Sequence, residues 1–571
     1  MNYPHIFSIP AICSQLRIKN VIICPGSRSA PLTIAFTRHK EFDCKVIPDE
    51  RSAAFIAMGM AQQLNEPVIL ICTSGSASLN FLPAIAEAFY QQIPLIILTA
   101  DRPAEWIDQL DGQTIRQEKV YGNHVKASFN IQTDQEHPDA QWHSQRMMAE
   151  AIAISTDTPQ GPVHLNFPFR EPLYPDHHDF KEVSVKAITS IRPTLKLGED
   201  QYDSLIKQWN SFNRKLIVCG QGVVNSQELE YLHQLSGKFK IPVVGDIISN
   251  IHELEHGITH PDVFLGSNKS GLHESLQPDL LITFGKSVLS KHLKIMLRKY
   301  KPKQHWHVQN HSVAADTYQS LTHVVQVSQE DFLKRISEQE DTQTFDTQKQ
   351  ENYYHIWQIE ERKTRRVLSS FLHAEKFGEF EAVKKVLEAL PENSNLHLAN
   401  SMSVRYANFI GLHPNKKNIK VFSNRGTSGI DGCNSTAVGA ALSSSVNNIL
   451  ITGDMAFFYD RNAFWHNYKV PNLKILVLNN HGGSIFKMIK GPNQQPELEK
   501  YFVTEQKLKA EHLAKEYGFD YLFCDKRSKL NNYIKQFMEG DDVTKILEIE
   551  TNADENQIIL EQFKADFNKQ K

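Results

Sequence analysis

Short apolar runs recur along the whole chain, each ending in a polar loop and followed by a longer stretch of helical periodicity. In the first third, Val21–Cys24 runs into PGSRSAP, and Lys45–Pro48 into Asp49-Glu50 and the helical pattern Arg51–Leu64. Val68–Cys72 then leads into TSGSAS, Leu95–Ala100 into DRP, and Val163–Phe167 reads as a later strand. Strand–loop–helix repetition predicts an α/β fold with doubly wound parallel sheets covered on both faces. Ligands of such sheets sit beyond the carboxyl ends of the strands. The middle third repeats the style, with Leu216–Cys219 ending in GQG, Ile241–Val244 in GD and Leu280–Phe284 in GKS. GQG lacks the spacing of a dinucleotide fingerprint and is read as sheet core. Residues 328–366 are charged and Gln-rich, which predicts a solvated helix and linker. In the last third Leu396–Ala399, Val421–Ser423, Ile449–Thr452, Ile475–Leu478 and Lys545–Glu550 read as strands, and Glu555–Phe567 as a closing helix with an exposed charged face.

The length of 571 residues suits about three domains. The expected boundaries are 1–185, 186–345 and 346–571. Hydrophobic residues make up 41% and charged residues 22%, as in ordinary globular chains. The net charge of −3 supplies no basic field for nucleic acid, so local cations must hold any anionic ligand. Cysteines at 13, 24, 44, 72, 219, 433 and 524 form no CxxC pair and are odd in number, which suits buried free thiols in a reducing compartment. The N-terminus has no signal-peptide pattern, and no apolar run nears the ~20 residues of a membrane span. A cytoplasmic protein is expected.

The sharpest chemical signal is ILITGDMAFFYDRNAF…LKILVLNNHGGSIF. One apolar strand ends in Gly453-Asp454 and the next in Asn479-Asn480, with 24 residues between Asp454 and Asn479. One helix and a returning strand fill that interval, so both polar ends meet at one sheet edge. Gly453 permits close backbone approach. Asp454 and the Asn480 amide are hard oxygen ligands suited to magnesium, and Gly482 can add a carbonyl. A helix starting near Ser484 would face a phosphate. A lone Gly-Asp would be only a capped turn; the paired motif after two apolar strands is more specific.

This pairing resembles the diphosphate-binding motif of thiamine-diphosphate enzymes, except that Met455 stands where the family often has a second glycine. The resemblance implies thiamine diphosphate bound through Mg2+, with Mn2+ as a substitute. It places Ser484 and Ile485 against the cofactor and makes Ile430 the apolar wedge that bends it. It also calls for a carboxylate against the aminopyrimidine ring, to favour the tautomer that takes the thiazolium proton. Glu50, in VIPDERSAAF, matches that position. Taken alone, Glu50 would be a helix-start residue paired with Arg51.

Further stretches narrow the resemblance: PGSRSAPLT (25–33), DERSAAF (49–55), TSGSA (73–77), LTADRP (98–103), GQTIRQ (112–117), SNRGTSGIDG (423–432) and NNHGGSIF (479–486). Together they are similar to the 2-succinyl-5-enolpyruvyl-6-hydroxy-3-cyclohexene-1-carboxylate synthases of menaquinone biosynthesis, over almost the whole chain. The implied fold is three α/β domains, in a homodimer or dimer of dimers with active sites between subunits. The implied reaction is decarboxylation of 2-oxoglutarate and conjugate addition of the resulting succinyl-semialdehyde carbanion to isochorismate. Four substrate carboxylates call for several cations, preferably forked ones. Arg28, Arg102, Arg405 and Arg425 match family positions at strand ends; Ser27, Gln113, Ser401 and Phe486 complete the set, and Arg116 is a weaker candidate. In GKSVLSKHLK, where the family can supply adjacent Lys and Arg, this chain has Lys291 and His292. His481 and the other histidines are expected to be structural. The competing readings are another thiamine-diphosphate 2-oxo acid enzyme, such as an acetolactate synthase or a decarboxylase, and a non-catalytic homologue.

Overall fold

Four- to seven-residue runs of Val, Ile and Leu cannot stay in water, and they gather into three parallel sheets. A computed structural model describes residues 4–569 except 134–136, 175–184, 268, 314, 340–346, 372–376 and 541. The first sheet holds β1 (Asn20–Ile23), β2 (Asp43–Val46), β3 (Val68–Cys72), β4 (Leu95–Asp101), β5 (Ser128–Asn130) and β6 (Val163–Pro168), ordered β2-β1-β3-β4-β6-β5. The second holds β7 (Lys215–Cys219), β8 (Val243–Gly245), β9 (Leu280–Phe284), β10 (Gln304–Gln309) and β11 (His323–Gln326), ordered β11-β10-β9-β7-β8. The third holds β12 (Asn395–Leu398), β13 (Lys420–Phe422), β14 (Asn448–Gly453), β15 (Leu473–Asn479), β16 (Asp520–Cys524) and β17 (Lys545–Glu550), ordered β13-β12-β14-β15-β17-β16. The first and third sheets therefore share one topology, the architectural likeness expected of the two ends of the chain.

Alternate residues of each strand enter different cores. Ile69 and Ile71 of β3 join one cluster, Val68, Leu70 and Cys72 another. The second cluster also takes Leu450 of β14 and Ile475 and Val477 of β15, while Ile449, Ile451, Leu476 and Leu478 share a third cluster with Leu216, Val218 and Leu281 of the second sheet. The third sheet is thus the middle layer, with a common core on each face.

The first and third sheets join through the helices Glu50–Leu64 and Cys433–Leu442, which touch at backbone distance. A Cβ on Gly59 would sit 2.1 Å from Thr436 O, and one on Gly439 2.1 Å from Ile56 O. Gly59→Ala should therefore push the helices apart and cost about 1–3 kcal/mol, as overpacked cores do. Urea unfolding measures this, and an unchanged midpoint would show that the two helices have slack between them.

One expectation needs correction. The charged segment before the last domain is no solvated linker where it is described. Helix Thr347–Ser370 buries Tyr353 and Trp357; Trp357 meets Phe264 edge-on at 5.8 Å, and the Tyr353 hydroxyl donates to Leu276 O at 2.9 Å. Its buried Glu361 sits 2.7 Å from His260 Nδ1 and accepts from Arg365 Nε at 2.9 Å. Burial works to raise this carboxyl, but His260 and Arg365 outweigh it and hold it at about 2. The closing helix, Ala553–Lys569, has the exposed charged face expected of it, with Asp554, Glu561 and Lys569 exposed, while its other face buries Asn556, Ile559, Leu560, Phe563 and Phe567, and Phe563 lies 5.1 Å from Phe380. The boundary expected at 345/346 falls on residues outside the description, and 185/186 follows the undescribed segment 175–184.

Candidate functional site

The third sheet sets Gly453 of β14 opposite Leu478 of β15, so Asp454 and Asn480 leave adjacent strands at one carboxyl edge. Two short helical turns, Asp454–Tyr459 and Arg461–Phe464, fill the interval instead of one helix. Asp454 is buried and accepts from Gln506 Nε2 at 2.7 Å. Burial pushes its carboxyl up to about 6, partly offset by Gln506, by the backbone N–H groups of Met455 and Gly482, and by His481. Asp454 and Gly482 are therefore neighbours. A Cβ on Gly482 would come within 2.8 Å of Val503 O, which leaves no room for a side chain. Asn480 Nδ2 donates to Glu379 Oε1 at 2.6 Å, while the buried Asn480 Oδ1 has no hydrogen-bond partner among the described residues.

That orphan oxygen beside a buried carboxylate fits a hard cation. His481, with φ of 64°, makes the turn between Asn480 and Gly482 and pairs with Glu550 at 3.0 Å. Ser484 is buried, but the helix that follows, Ile485–Met488, is one turn long, so the phosphate-facing helix dipole expected there is weak. Ile485 packs against the third sheet's core, and Phe486 lies 5.6 Å from Phe502. Ile430 packs against Ala399, Cys433 and Ala456, so it stands over the turn that carries Asp454.

Arg405 and Arg425 come together at the ends of β12 and β13. Arg425 Nη1 donates to Asn400 Oδ1 at 2.8 Å, and its buried Nε has no partner among the described residues. Arg405 Nη1 donates to Ser401 O at 2.6 Å. Burial and then Arg425 lower the pKa of Arg405. Ser401 holds φ 73° and ψ −129°, a costly conformation for a residue with a side chain, of the kind that gathers at functional sites. The middle part faces these arginines with Asp246, Asp262 and Lys294. Lys291 is exposed, whereas His292 is tied to Asp262, which accepts from the His292 backbone N–H at 2.9 Å.

The N-terminal candidates form a second group. Arg28 is buried and donates to Phe169 O and Glu171 Oε1, both at 3.1 Å. Arg102 donates to Gly112 O at 2.9 Å, and its backbone N–H donates to Asp101. Ser27 and Gln113 are exposed, Gln113 with φ of 55°, and exposed Arg116 pairs with Asp108. Glu50 begins its helix, capped by Asp49, at the edge shared by Cys24 and Cys72, where its charge helps raise both thiols after burial. Arg51 does not pair with it but donates to Tyr459 O and lies over the Tyr459 ring. The half-buried Glu50 carboxylate has no hydrogen bond or ion pair among the described residues. No such contact joins it to Asp454 or Asn480, or Arg28 and Arg102 to Arg405 and Arg425, within one chain.

Family comparison covers nearly the whole chain. Residues 8–124 match the thiamine pyrophosphate enzyme N-terminal TPP binding domain, 192–398 the middle domain of thiamine pyrophosphate enzymes, and 404–548 the C-terminal TPP binding domain. A 2-succinyl-5-enolpyruvyl-6-hydroxy-3-cyclohexene-1-carboxylate synthase of Cytophaga hutchinsonii is 45% identical, covering 98% of this chain and 98% of its own. Proteins of the same name are 41% identical in Flavobacterium johnsoniae, over 99% of each chain, and 36% identical in Porphyromonas gingivalis, over 96% of this chain and 94% of the relative. The chain belongs to the 2-succinyl-5-enolpyruvyl-6-hydroxy-3-cyclohexene-1-carboxylate synthase family of thiamine-diphosphate enzymes.

In this synthase, residues absent from the motif reading hold the site loops. Buried Glu87 accepts from the backbone N–H groups of Gly426 and Thr427 at 2.7 and 2.6 Å, and from the Thr427 hydroxyl at 2.6 Å. It thereby fixes the loop carrying Arg425 and Ile430. Gln506 bridges Asp454 and Asn479, and Glu379 holds Asn480. None of the three stands at a strand end, so no local motif marks them.

Proposed function

We propose that this synthase decarboxylates 2-oxoglutarate and joins the remaining four-carbon unit to the ring alkene of isochorismate, forming 2-succinyl-5-enolpyruvyl-6-hydroxy-3-cyclohexene-1-carboxylate. The observation that carries the reading is the buried Asn480 Oδ1, which has no hydrogen-bond partner among the described residues, just beyond the strand next to the one that ends at buried Asp454, in a chain of this family. Asp454, Asn480 Oδ1 and the Gly482 carbonyl would hold Mg2+, or Mn2+ in its place, and Gly453, Ser484, Ile485 and Ile430 would line the cofactor. Magnesium commonly takes few protein ligands, which suits this sparse set. Thiamine diphosphate, when bound, supplies the electron sink for breaking and making carbon–carbon bonds.

The chain's own groups bind, orient and move protons. Glu50, whose carboxylate has no hydrogen bond or ion pair among the described residues, is suited to exchange a proton with the cofactor's pyrimidine ring. Arg28, Arg102, Arg405 and Arg425, with Lys291, Ser27, Gln113 and Ser401, are suited to the four carboxylates and the hydroxyl, and Phe486 to the substrate's apolar surface. Arg425 and Arg405 offer forked donors in a partly desolvated place, where charge-assisted bonds are strong. By the family resemblance, in which the carboxylate and the metal ligands come from different subunits, we assign the complete site to two chains, in a homodimer or dimer of dimers. The domain division is read as 1–185, 186–345 and 346–571. A cytoplasmic location suits seven free cysteines, and no helix among the described residues is long and apolar enough to cross a membrane.

Incubation with 2-oxoglutarate, isochorismate, thiamine diphosphate and Mg2+ should yield that product by mass spectrometry. Carbon dioxide release from 2-oxoglutarate and from pyruvate, measured separately, separates this reading from an acetolactate synthase or simple decarboxylase. Release from pyruvate alone would overturn it.

A further inference from the structure

We propose that Glu379 is the positioning residue of the metal site, fixing the Asn480 amide with Oδ1 as its free end. The inference rests on the reading of Asp454 and Asn480 as metal ligands. An asparagine amide has two ends of nearly equal shape, and only its oxygen can coordinate a cation. A carboxylate that only accepts can engage only the NH2 end. Glu379 Oε1 does so at 2.6 Å, which leaves Oδ1 without a hydrogen-bond partner among the described residues.

Glu379 is itself held rigidly. It is buried at the first position of helix Glu379–Ala389, and its backbone N–H donates to Asn556 Oδ1 at 3.0 Å. A Cβ on the preceding Gly378 would fall 2.5 Å from Ile559 Cδ1, so this corner is pressed onto the closing helix. The buried Tyr406 hydroxyl lies beside the Glu379 carboxyl, and Asp454 is near enough to act on it electrostatically. A line of groups thus runs from the closing helix through Glu379 to Asn480. Nothing in the Gly-Asp…Asn-Asn motif specifies that line. A carboxylate with a second oxygen unpaired is a costly group to bury without a task.

The test is Mn2+ binding to the full-length protein with saturating thiamine diphosphate, followed by electron paramagnetic resonance, which needs no turnover. Glu379→Leu should raise the Mn2+ dissociation constant about 10–100-fold, as loss of a ligand's supporting hydrogen bond does elsewhere. Glu379→Gln keeps an oxygen that accepts from Asn480 Nδ2 but adds an NH2 that can meet the flipped amide, so its dissociation constant should lie between those of wild type and Glu379→Leu. A purely space-filling role would not separate these two variants in this direction. Asp454→Ala is the control for the site. If Asp454→Ala loses Mn2+ while Glu379→Leu binds as wild type, the positioning role is overturned and the site stands. If Glu379→Gln is as weak as Glu379→Leu, the amide-orienting role is likewise overturned. If Asp454→Ala binds as wild type, the metal-site reading itself falls. Should Glu379→Leu fail to fold, Glu379→Ala removes the acceptor without adding bulk and takes its place.

Discussion

Glu50→Gln is expected to lower turnover by about 10²–10⁴-fold, the usual worth of a positioned proton-transfer group, with thiamine diphosphate affinity near wild type. Glutamine keeps the size of the side chain and can still hydrogen-bond, but it cannot take up or release a proton at neutral pH. The substitution should leave the fold intact, because the Glu50 carboxylate makes no hydrogen bond or ion pair among the described residues and its helix is capped by Asp49. Turnover and cofactor binding by calorimetry, measured on the same preparation, separate the proton role from a binding role. Unchanged turnover would remove Glu50 from the mechanism.

Arg425→Ala is expected to weaken substrate carboxylate binding by about 2–5 kcal/mol, the cost of truncating one member of a desolvated charge pair. That corresponds to roughly 30-fold or more in kcat/KM. The effect should fall mainly on KM, since the role assigned is binding. Among the described residues, partly buried Arg425 makes one side-chain hydrogen bond, to Asn400, and its buried Nε has no partner, so its fork is not used up by them. Arg425→Lys should recover only part of the loss, because an ammonium keeps the charge and not the planar fork. Varying 2-oxoglutarate and isochorismate separately shows which carboxylate Arg425 meets. Unchanged kinetics for both substrates would reject the role.

Several features were readable from local pattern. Val68–Cys72, Leu280–Phe284 and Lys545–Glu550 are strands at the residues expected; in the first two a short, mostly apolar run bounded by polar turns has few other stable outcomes. Helix Glu50–Leu64 starts where Asp49 caps it. Polar or edge strands were less legible. β2 begins two residues earlier than expected, and β5, β10, β11 and β16 passed unread, because their burial is partial or mixed. Composition misled at helix Thr347–Ser370, where charges that look solvated in sequence include a buried Glu361 paired with Arg365 one turn on and with His260, 101 residues away.

The ordered sequence of runs, loops and glycines was sufficient to imply the sheets and the strand ends at which Glu50, Asp454, Asn480 and Arg425 stand. These are matters of periodicity, decided among residues close in the chain. The supports of those side chains were not implied. Asn480 is held by Glu379, 101 residues away, and the Arg425 loop by Glu87, with Thr427 340 residues from it. A hydrogen bond takes its partner from whatever the closed fold brings within 3 Å, and no local pattern encodes that distance.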